Sequence, residues 1–429
     1  MTRAARFAAA AAVVLVCAPA GATNGMRMIG FGPVQSSMGG AGVGATLDGC
    51  SMASNPAGIA DMGMRLDLGL SWFKPTVEYS ATESPLPPGF AGAVVARPGQ
   101  TIDSDRGGSP IPALAFALPL GAGFTGGLGM FAVAGMGVDH PQNLYGGRTY
   151  SSYLQARLTP TLAYRINEMF SAGLTFNAML AQMKFDVAKG FGQVPHDTAT
   201  SLGYGATLGL KFKPMKELAL GVAYETKSTF QEFKFDVPAH VGVNPADFSQ
   251  VNFPGGQDKL KFNQPSSFAF GAAVSPMEAL LLAVDVQWIR WSETNGKNQP
   301  AYTNNTNLTG AMPWNLNWKD QWVVKVGGQL AATSALKLRL GWNYGKLPLD
   351  KNRAFENIAF PAIAEHHITG GLGWDATRTL TVNAGGMYAP QAKIAGANAA
   401  YPVQGGQAIA SYETKMSQWQ ADLGISYRF

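Results

Sequence analysis

The C-terminal stretch Gln418-Trp419-Gln420-Ala421-Asp422-Leu423-Gly424-Ile425-Ser426-Tyr427-Arg428-Phe429 decides the fold. Trp419, Ala421, Leu423, Ile425, Tyr427 and Phe429 fall on one face, and the polar or small residues between them on the other. Strict period two over this length reads as a strand with one apolar and one polar side. Working outward, the pattern recurs. Leu336, Leu338, Leu340, Trp342 and Tyr344 oppose Lys337, Arg339, Gly341 and Asn343. Trp322, Val324 and Val326 oppose Lys325, Gly327 and Gln329. Leu218 to Tyr224 and Leu282 to Trp288 alternate likewise, with Glu225, Asp285 and Gln287 on the polar side.

Strands are expected near 65–79, 111–118, 124–133, 150–165, 169–186, 202–213, 217–236, 257–274, 278–291, 320–331, 335–345, 366–374, 378–389 and 417–429. Tight connections (119–123, 166–168, 214–216, 275–277, 332–334, 375–377) alternate with long ones (80–110, 134–149, 187–200, 237–256, 292–319, 346–365, 390–416). An even strand number with short turns at one end and long loops at the other is the pattern of an outer-membrane barrel. In lipid every backbone polar group must be paired within the protein, so such a sheet has to close. The expected fold is therefore an all-β, 14-stranded antiparallel transmembrane β-barrel. A soluble sandwich would also alternate, but leaves unexplained the strand length and the aromatics near strand ends: Trp72, Tyr164, Trp288, Trp291, Trp322, Trp342, Trp374 and Tyr427.

Composition agrees. Only 14% of the 429 residues are charged and 52 are glycine, against about 25% and ~7% in soluble domains. That excludes a charged coiled coil, and the 23 Phe, 9 Trp and 13 Tyr exclude a disordered chain. The +5 net charge contains no basic run, which argues against nucleic-acid binding. Met1 to Ala22 reads as a signal peptide, with Arg3 and Arg6 before an apolar Phe7–Val16 core and Ala20-Gly21-Ala22 as the cleavage site. The exported chain then keeps one cysteine, Cys50, read as a small buried spacer and not as a reactive thiol. Gly107 to Val138 is uncharged, yet Pro110, Pro112 and Pro119 rule out a spanning helix. The histidines (His140, His196, His240, His366, His367) form no metal spacing. Gly49-Cys50-Ser51-Met52-Ala53 lacks the final glycine of a nucleophile elbow, and Gly371 to Ala376 runs into a tight turn, not a helix. Neither an enzyme nor a cofactor is expected.

Residues 23–64 are not strand-like. They are rich in Gly, Ala and Met, and suggest a plug inside a barrel formed by 65–429. Asn24-Gly25-Met26, Ser37-Met38-Gly39-Gly40-Ala41 and Ser54-Asn55-Pro56-Ala57-Gly58 resemble the hatch of the FadL/TodX family of outer-membrane channels for long-chain fatty acids and other hydrophobic compounds. Gly205 to Tyr224, Ser267 to Trp291 and Trp318 to Tyr344 resemble its hairpins.

The resemblance implies passive uptake. A hydrophobic molecule is caught by outer loops, held in an apolar pocket near the mature N-terminus, and released sideways into the membrane where the third strand kinks. Long-chain fatty acids are the default ligand, with monoaromatic hydrocarbons as the alternative. An adhesive or structural barrel acting through its loops, such as 292–319 with Trp314 and Trp318, is a further reading. Met26, Met28, Ile29 and Phe31 are candidates for the pocket, or for packing the hatch on the wall. Arg157, Lys325 and Arg339 lie on lumen parity, to hold a carboxylate or to pair with other lumen charges. Gly126, Gly127 and Gly129 are candidates for the kink, or for making room for the hatch. On the kink reading, Gly127→Val reduces uptake without preventing assembly. Asn55, Pro56 and Ala57 are the hatch motif, and Tyr427 and Phe429 the signal for barrel-assembly machinery. The implied setting is the outer membrane of a Gram-negative bacterium, with lipid and lipopolysaccharide around a monomer.

Overall fold

Fourteen antiparallel strands close on themselves. A computed structural model describes residues 24–81, 100–141, 148–189, 192–243, 250–297, 301–303, 316–353, 357–397 and 411–429. The signal-peptide residues and Trp314 lie outside these. The barrel strands are β1 (Arg65–Ala81), β2 (Ser109–Gly121), β3 (Phe124–His140), β4 (Thr149–Arg165), β5 (Phe170–Lys189), β6 (Gly192–Met215), β7 (Leu218–Glu225), β8 (Ser267–Met277), β9 (Leu280–Ile289), β10 (Gln321–Ala331), β11 (Leu336–Gly345), β12 (His366–Asp375), β13 (Leu380–Ala397) and β14 (Ser411–Arg428). Each pairs with its neighbours in sequence. β1 closes the ring by pairing with β14 from Arg65↔Arg428 to Ala81↔Tyr412. Closure leaves no free edge at the seam, so the spanning backbone keeps its hydrogen bonds inside the protein.

The period-two pattern sorts by exposure as expected. On β14 and beyond it, Leu423 and Phe429 are 66% and 65% exposed, while Gln418 and Asp422 are 1% and 2% exposed. Trp72, Tyr164, Trp322, Trp342, Trp374 and Tyr427 also face outward. Trp291 does not. It is fully buried, because the chain turns inward after Ile289 and the strand's parity no longer applies.

Several expected boundaries change: β3, β13 and β14 run on into the expected loops 134–149 and 390–416, and three further changes accompany these. β7 ends at Glu225 and not at 236. Phe233–Val237 instead pairs with Gly256–Lys261, which in turn pairs with Ala301–Thr303, in a separate small sheet. Phe233, Phe235 and Val237 are buried while Lys234 and Asp236 are exposed, so this strand alternates just as a barrel strand does. Periodicity tells that a strand has two faces, not which sheet it joins. For the same reason β8 begins at Ser267, not at 257. The third change is at 187–200, expected to be a long loop. β5 and β6 stay paired up to Lys189↔Gly192, so the hairpin itself projects beyond the other strands. At the other end the connections are tight. Between β2 and β3, Gly121, Ala122 and Gly123 all have positive φ (89°, 50° and 83°).

Residues 24–64 fill the lumen. They form one short helix, α1 (Gly32–Ser36), and two 3-10 turns, Gly49–Ala53 and Pro56–Ile59. In the half of the barrel beside the long loops, an apolar cluster rich in Met and Phe fills the interior, including Met26, Met136, Met183, Phe230, Phe262 and Trp291.

Candidate functional site

The hatch is held by hydrogen bonds between side chains and backbone, from the hatch to the wall and from the wall to the hatch. Asn55 is fully buried. Its Oδ1 accepts from Ala57 N (3.1 Å), and its Nδ2 donates to Val43 O (2.9 Å) and to Leu210 O of β6 (3.1 Å). Pro56 opens the following 3-10 turn, where a missing N–H costs nothing. Wall glycines let this motif approach. A Cβ on Gly209 would lie 2.1 Å from Asn55 Oδ1, and one on Gly221 2.0 Å from Val43 O. The Asn55-Pro56-Ala57 motif thus locks the hatch to itself and to the barrel. Further links come from β9, where Asp285 accepts from the N–H groups of Gly42 (2.7 Å) and Val43 (2.9 Å), and from β12, where Thr369 accepts from Gly39 N (2.9 Å). Cys50 is 1% exposed in the first 3-10 turn, a packing position.

The wall has an opening between β2 and β3. The two strands pair from Gly121↔Phe124 only as far as Ala113↔Phe131. β2 nevertheless stays paired with β1 up to Phe73↔Ser109, and β3 with β4 up to His140↔Thr149. A register shift between Ala132 and Ala134 leaves Val133 as a bulge. From Phe131 to Val138 every residue is buried, where an ordinary barrel strand would alternate. β3 therefore leaves the wall for the lumen at Val133. Gly126, Gly127 and Gly129 lie below this point and are paired on both sides, so the expected kink position is corrected. Gly127 makes room for the hatch instead: a Cβ there would lie 2.7 Å from Ile59 Cδ1.

Both edges of the opening are blunted. On β2 the unpaired stretch carries Pro110 and Pro112. A proline in a ladder sits where its N faces away from the partner, so these nitrogens face the opening and present no orphan N–H to lipid. On β3 the free edge is taken by the N-terminal segment. Met28 N donates to Val133 O, and Gly135 N to Met26 O, both at 3.1 Å. Above the opening, residues 101–105 bridge the wall. Thr101–Asp103 pairs with β1, and Asp105 N donates to Asp139 O of β3 (2.8 Å).

The N-terminal segment leads into the lumen. Asn24 and Arg27 close a turn in which Gly25, at φ +66°, lies against the Trp291 indole. Met26, Met28 and Ile29 are buried and belong to the large apolar cluster, with Phe31 packed against it. Beside them is a small cavity of about 60 Å³. It is lined by Arg27, Arg157, Glu225, Asp285 and Lys325 among others. Glu225 bridges the two arginines, at 3.1 Å to each. Arg157 also donates to Ala53 O (2.8 Å) and lies over the Phe31 ring. Lys325 Nζ donates to Ile29 O (3.1 Å). Three cations thus face two carboxylates beside the apolar cluster. Arg339 is not with them. It binds Gln329 and Asn383 and lines a different cavity, with Asp48, on the far side of the hatch.

Sequence reasoning placed Glu225 and Asp285 on lumen parity but singled out neither. It missed Arg27, because no strand pattern covers the hatch. Trp318, expected in an exposed loop, is 1% exposed and packs on Trp291 at 5.1 Å. Also missed was Asn357–Ala364, which is wholly buried and holds Ser151 through Ala359 O and the Trp318 indole through Asn357 Oδ1 (2.8 Å).

A closed barrel with an internal hatch, an apolar upper lumen and an opening in its wall defines an outer-membrane transport channel for hydrophobic compounds. The chain belongs to the outer membrane protein transport family (OMPP1/FadL/TodX), whose profile matches residues 16–429. Its fold is that of the Pseudomonas putida toluene transporter TodX, at 17% identity and TM-score 0.74 over 93% of this chain and 99% of that one. The Ralstonia pickettii toluene transporter TbuX (18%, 0.69, 93% and 98%) and a Pseudomonas aeruginosa FadL homologue (16%, 0.71, 94% and 100%) share it. No curated protein sequence matches the chain.

Proposed function

We propose that this chain is a passive channel, not an enzyme, for long-chain fatty acids. The observation that carries this reading is the cluster of Arg27, Arg157 and Lys325 against Glu225 and Asp285, one positive charge in excess, set beside the apolar cluster of the upper lumen. A fatty acid has the matching shape: an acyl chain for the Met- and Phe-lined interior and a carboxylate for the surplus cation. Moving the chain from water into such a lining gains about 25 cal/mol per Å² of apolar area. Release through the opening between β2 and β3 passes it to lipid without returning that area to water. The exported monomer, after loss of residues 1–22, sits in the outer membrane with Tyr427 and Phe429 on its lipid face as the assembly signal.

A channel for monoaromatic hydrocarbons is the second reading. Arg157 and Lys325 already have protein acceptors, so an uncharged ligand leaves nothing unpaired. TodX and TbuX are toluene transporters, which favours it too. The test is uptake of labelled oleate by cells lacking their own fatty-acid channel, with and without this chain, in the presence and absence of toluene. Restored uptake that toluene does not compete supports the fatty-acid reading. Absent uptake by a chain assembled in the outer membrane refutes it.

A further inference from the structure

A second cavity lies at the short-turn end of the barrel, below the hatch, with a volume of about 470 Å³. It shares no residue with the upper one. Short turns of such barrels face the periplasm. Four cationic side chains line it, Arg65, Lys211, Lys213 and Arg428, against the single acidic side chain of Asp61. Three of the four are matched. Arg65 grips Asp67 with Nε and Nη2 (2.7 and 2.6 Å), Lys213 pairs with Asp61, and Arg428 reaches Asp375 at 3.5 Å. Lys211 is different. It is 7% exposed, its ammonium donates to the Thr46 hydroxyl of the hatch, and the carboxylate that acts on it, Asp61, is already paired with Lys213.

Two ammonium groups beside one carboxylate leave a positive charge unbalanced, which is costly when buried. Lys211 and Lys213 both line this space, each reaching a hatch side chain, Thr46 and Asp61. Leu47, Met62, Met64 and Phe429 complete the lining with apolar surface. The cavity therefore offers an excess ammonium beside greasy walls. We propose that it binds an oxyanion carried on an apolar chain, with Lys211 and Lys213 holding the anion and Met62 and Met64 lying along the chain. The same chemistry has two sources, a carboxylic acid that has crossed the membrane or the headgroup of an inner-leaflet lipid. The site does not depend on what the upper pocket carries.

The probe is lauric acid bearing a diazirine close to its carboxylate, used on the purified full chain in a nonionic detergent, with the diazirine of lauryl alcohol as the uncharged control. Photolabelled peptides are mapped by mass spectrometry. The acid is expected to label Thr46–Arg65 and the Lys211–Met215 end of β6 about tenfold more than the alcohol does, the factor that one charge-assisted hydrogen bond confers. Lys211→Gln with Lys213→Gln should remove that difference while labelling of Met26–Phe31 stays unchanged. Heat-modifiable gel mobility reports that the variant is assembled, and the acid-to-alcohol comparison stands on the unaltered chain alone. Displacement by laurate assigns the site to a transported acid, and displacement by lysophosphatidylglycerol to a lipid headgroup. Equal labelling by acid and alcohol, no label at these peptides, or no displacement by either competitor overturns the proposal. Loss of label at Met26–Phe31 alone counts against the upper pocket and leaves this site standing.

Discussion

Replacing Asn55 by alanine should loosen the hatch without unfolding the barrel. The side chain makes three hydrogen bonds, to Ala57 N, Val43 O and Leu210 O, and is fully buried. Each is worth about 1 kcal/mol net, so the loss is about 3 kcal/mol. At 1.4 kcal/mol per decade, hatch opening should become roughly a hundredfold more frequent. No ladder pair of the wall includes Asn55, so heat-modifiable gel mobility should not change. Hydrogen exchange at the Gly42, Val43 and Ala57 amides should accelerate by about that factor, while amides of β14 exchange as before. In a planar bilayer the variant should also show a raised ion conductance. Unchanged exchange at these amides in an assembled variant would refute the reasoning, because it would mean that the wall holds the hatch without this residue.

Deleting Val133 removes the bulge that turns β3 inward, and should abolish uptake in a barrel that still assembles; retained transport would mean that the opening is not the exit. Gly127→Val places a branched side chain against Ile59 and Met52, so it should destabilise the hatch by about 1–3 kcal/mol and leave uptake unaltered, which denaturant-induced hatch release and uptake assays read separately. Asp48, in the hatch, is pushed up to about 7 by burial and then by the neighbouring Asp67 carboxylate. Its ionised form is disfavoured in the fold, so hatch stability falls as pH rises from about 4 towards 7. Asp48→Asn should flatten that decline, and an unchanged slope in hatch-release titrations would count against it.

The alternation of Gln418 to Phe429 and its repeats made the barrel legible, because the side chains of a spanning strand must answer to two solvents. Glycine abundance was legible as a number but not as a cause. In the structure it falls where backbone meets backbone, as at Gly209 and Gly221 beneath the Asn55 motif. The candidate site was legible in part. Met26, Met28, Ile29, Arg157 and Lys325 do gather at one cavity or its apolar border, whereas Arg339 on the same parity lies beyond the hatch. Parity states which side of the wall a residue faces and says nothing of its height along the barrel.

The opening in the wall shows the limit most clearly. Three glycines in β3 looked like the weak point, yet the strand departs at Val133, where nothing in the local sequence is unusual. A strand leaves its neighbour when another partner satisfies its backbone, and here that partner is Met26–Met28, over a hundred residues away in the chain. The sequence by itself determined the barrel, its lipid-facing surface, its lumen charges and the segment that plugs it. Those follow from periods of two and from local composition, which any short window reveals. Only the tertiary structure decided which lumen charges meet, where the wall opens and what covers its edges. Those depend on backbone hydrogen bonds between distant segments, and backbone donors and acceptors are the same in every residue but proline.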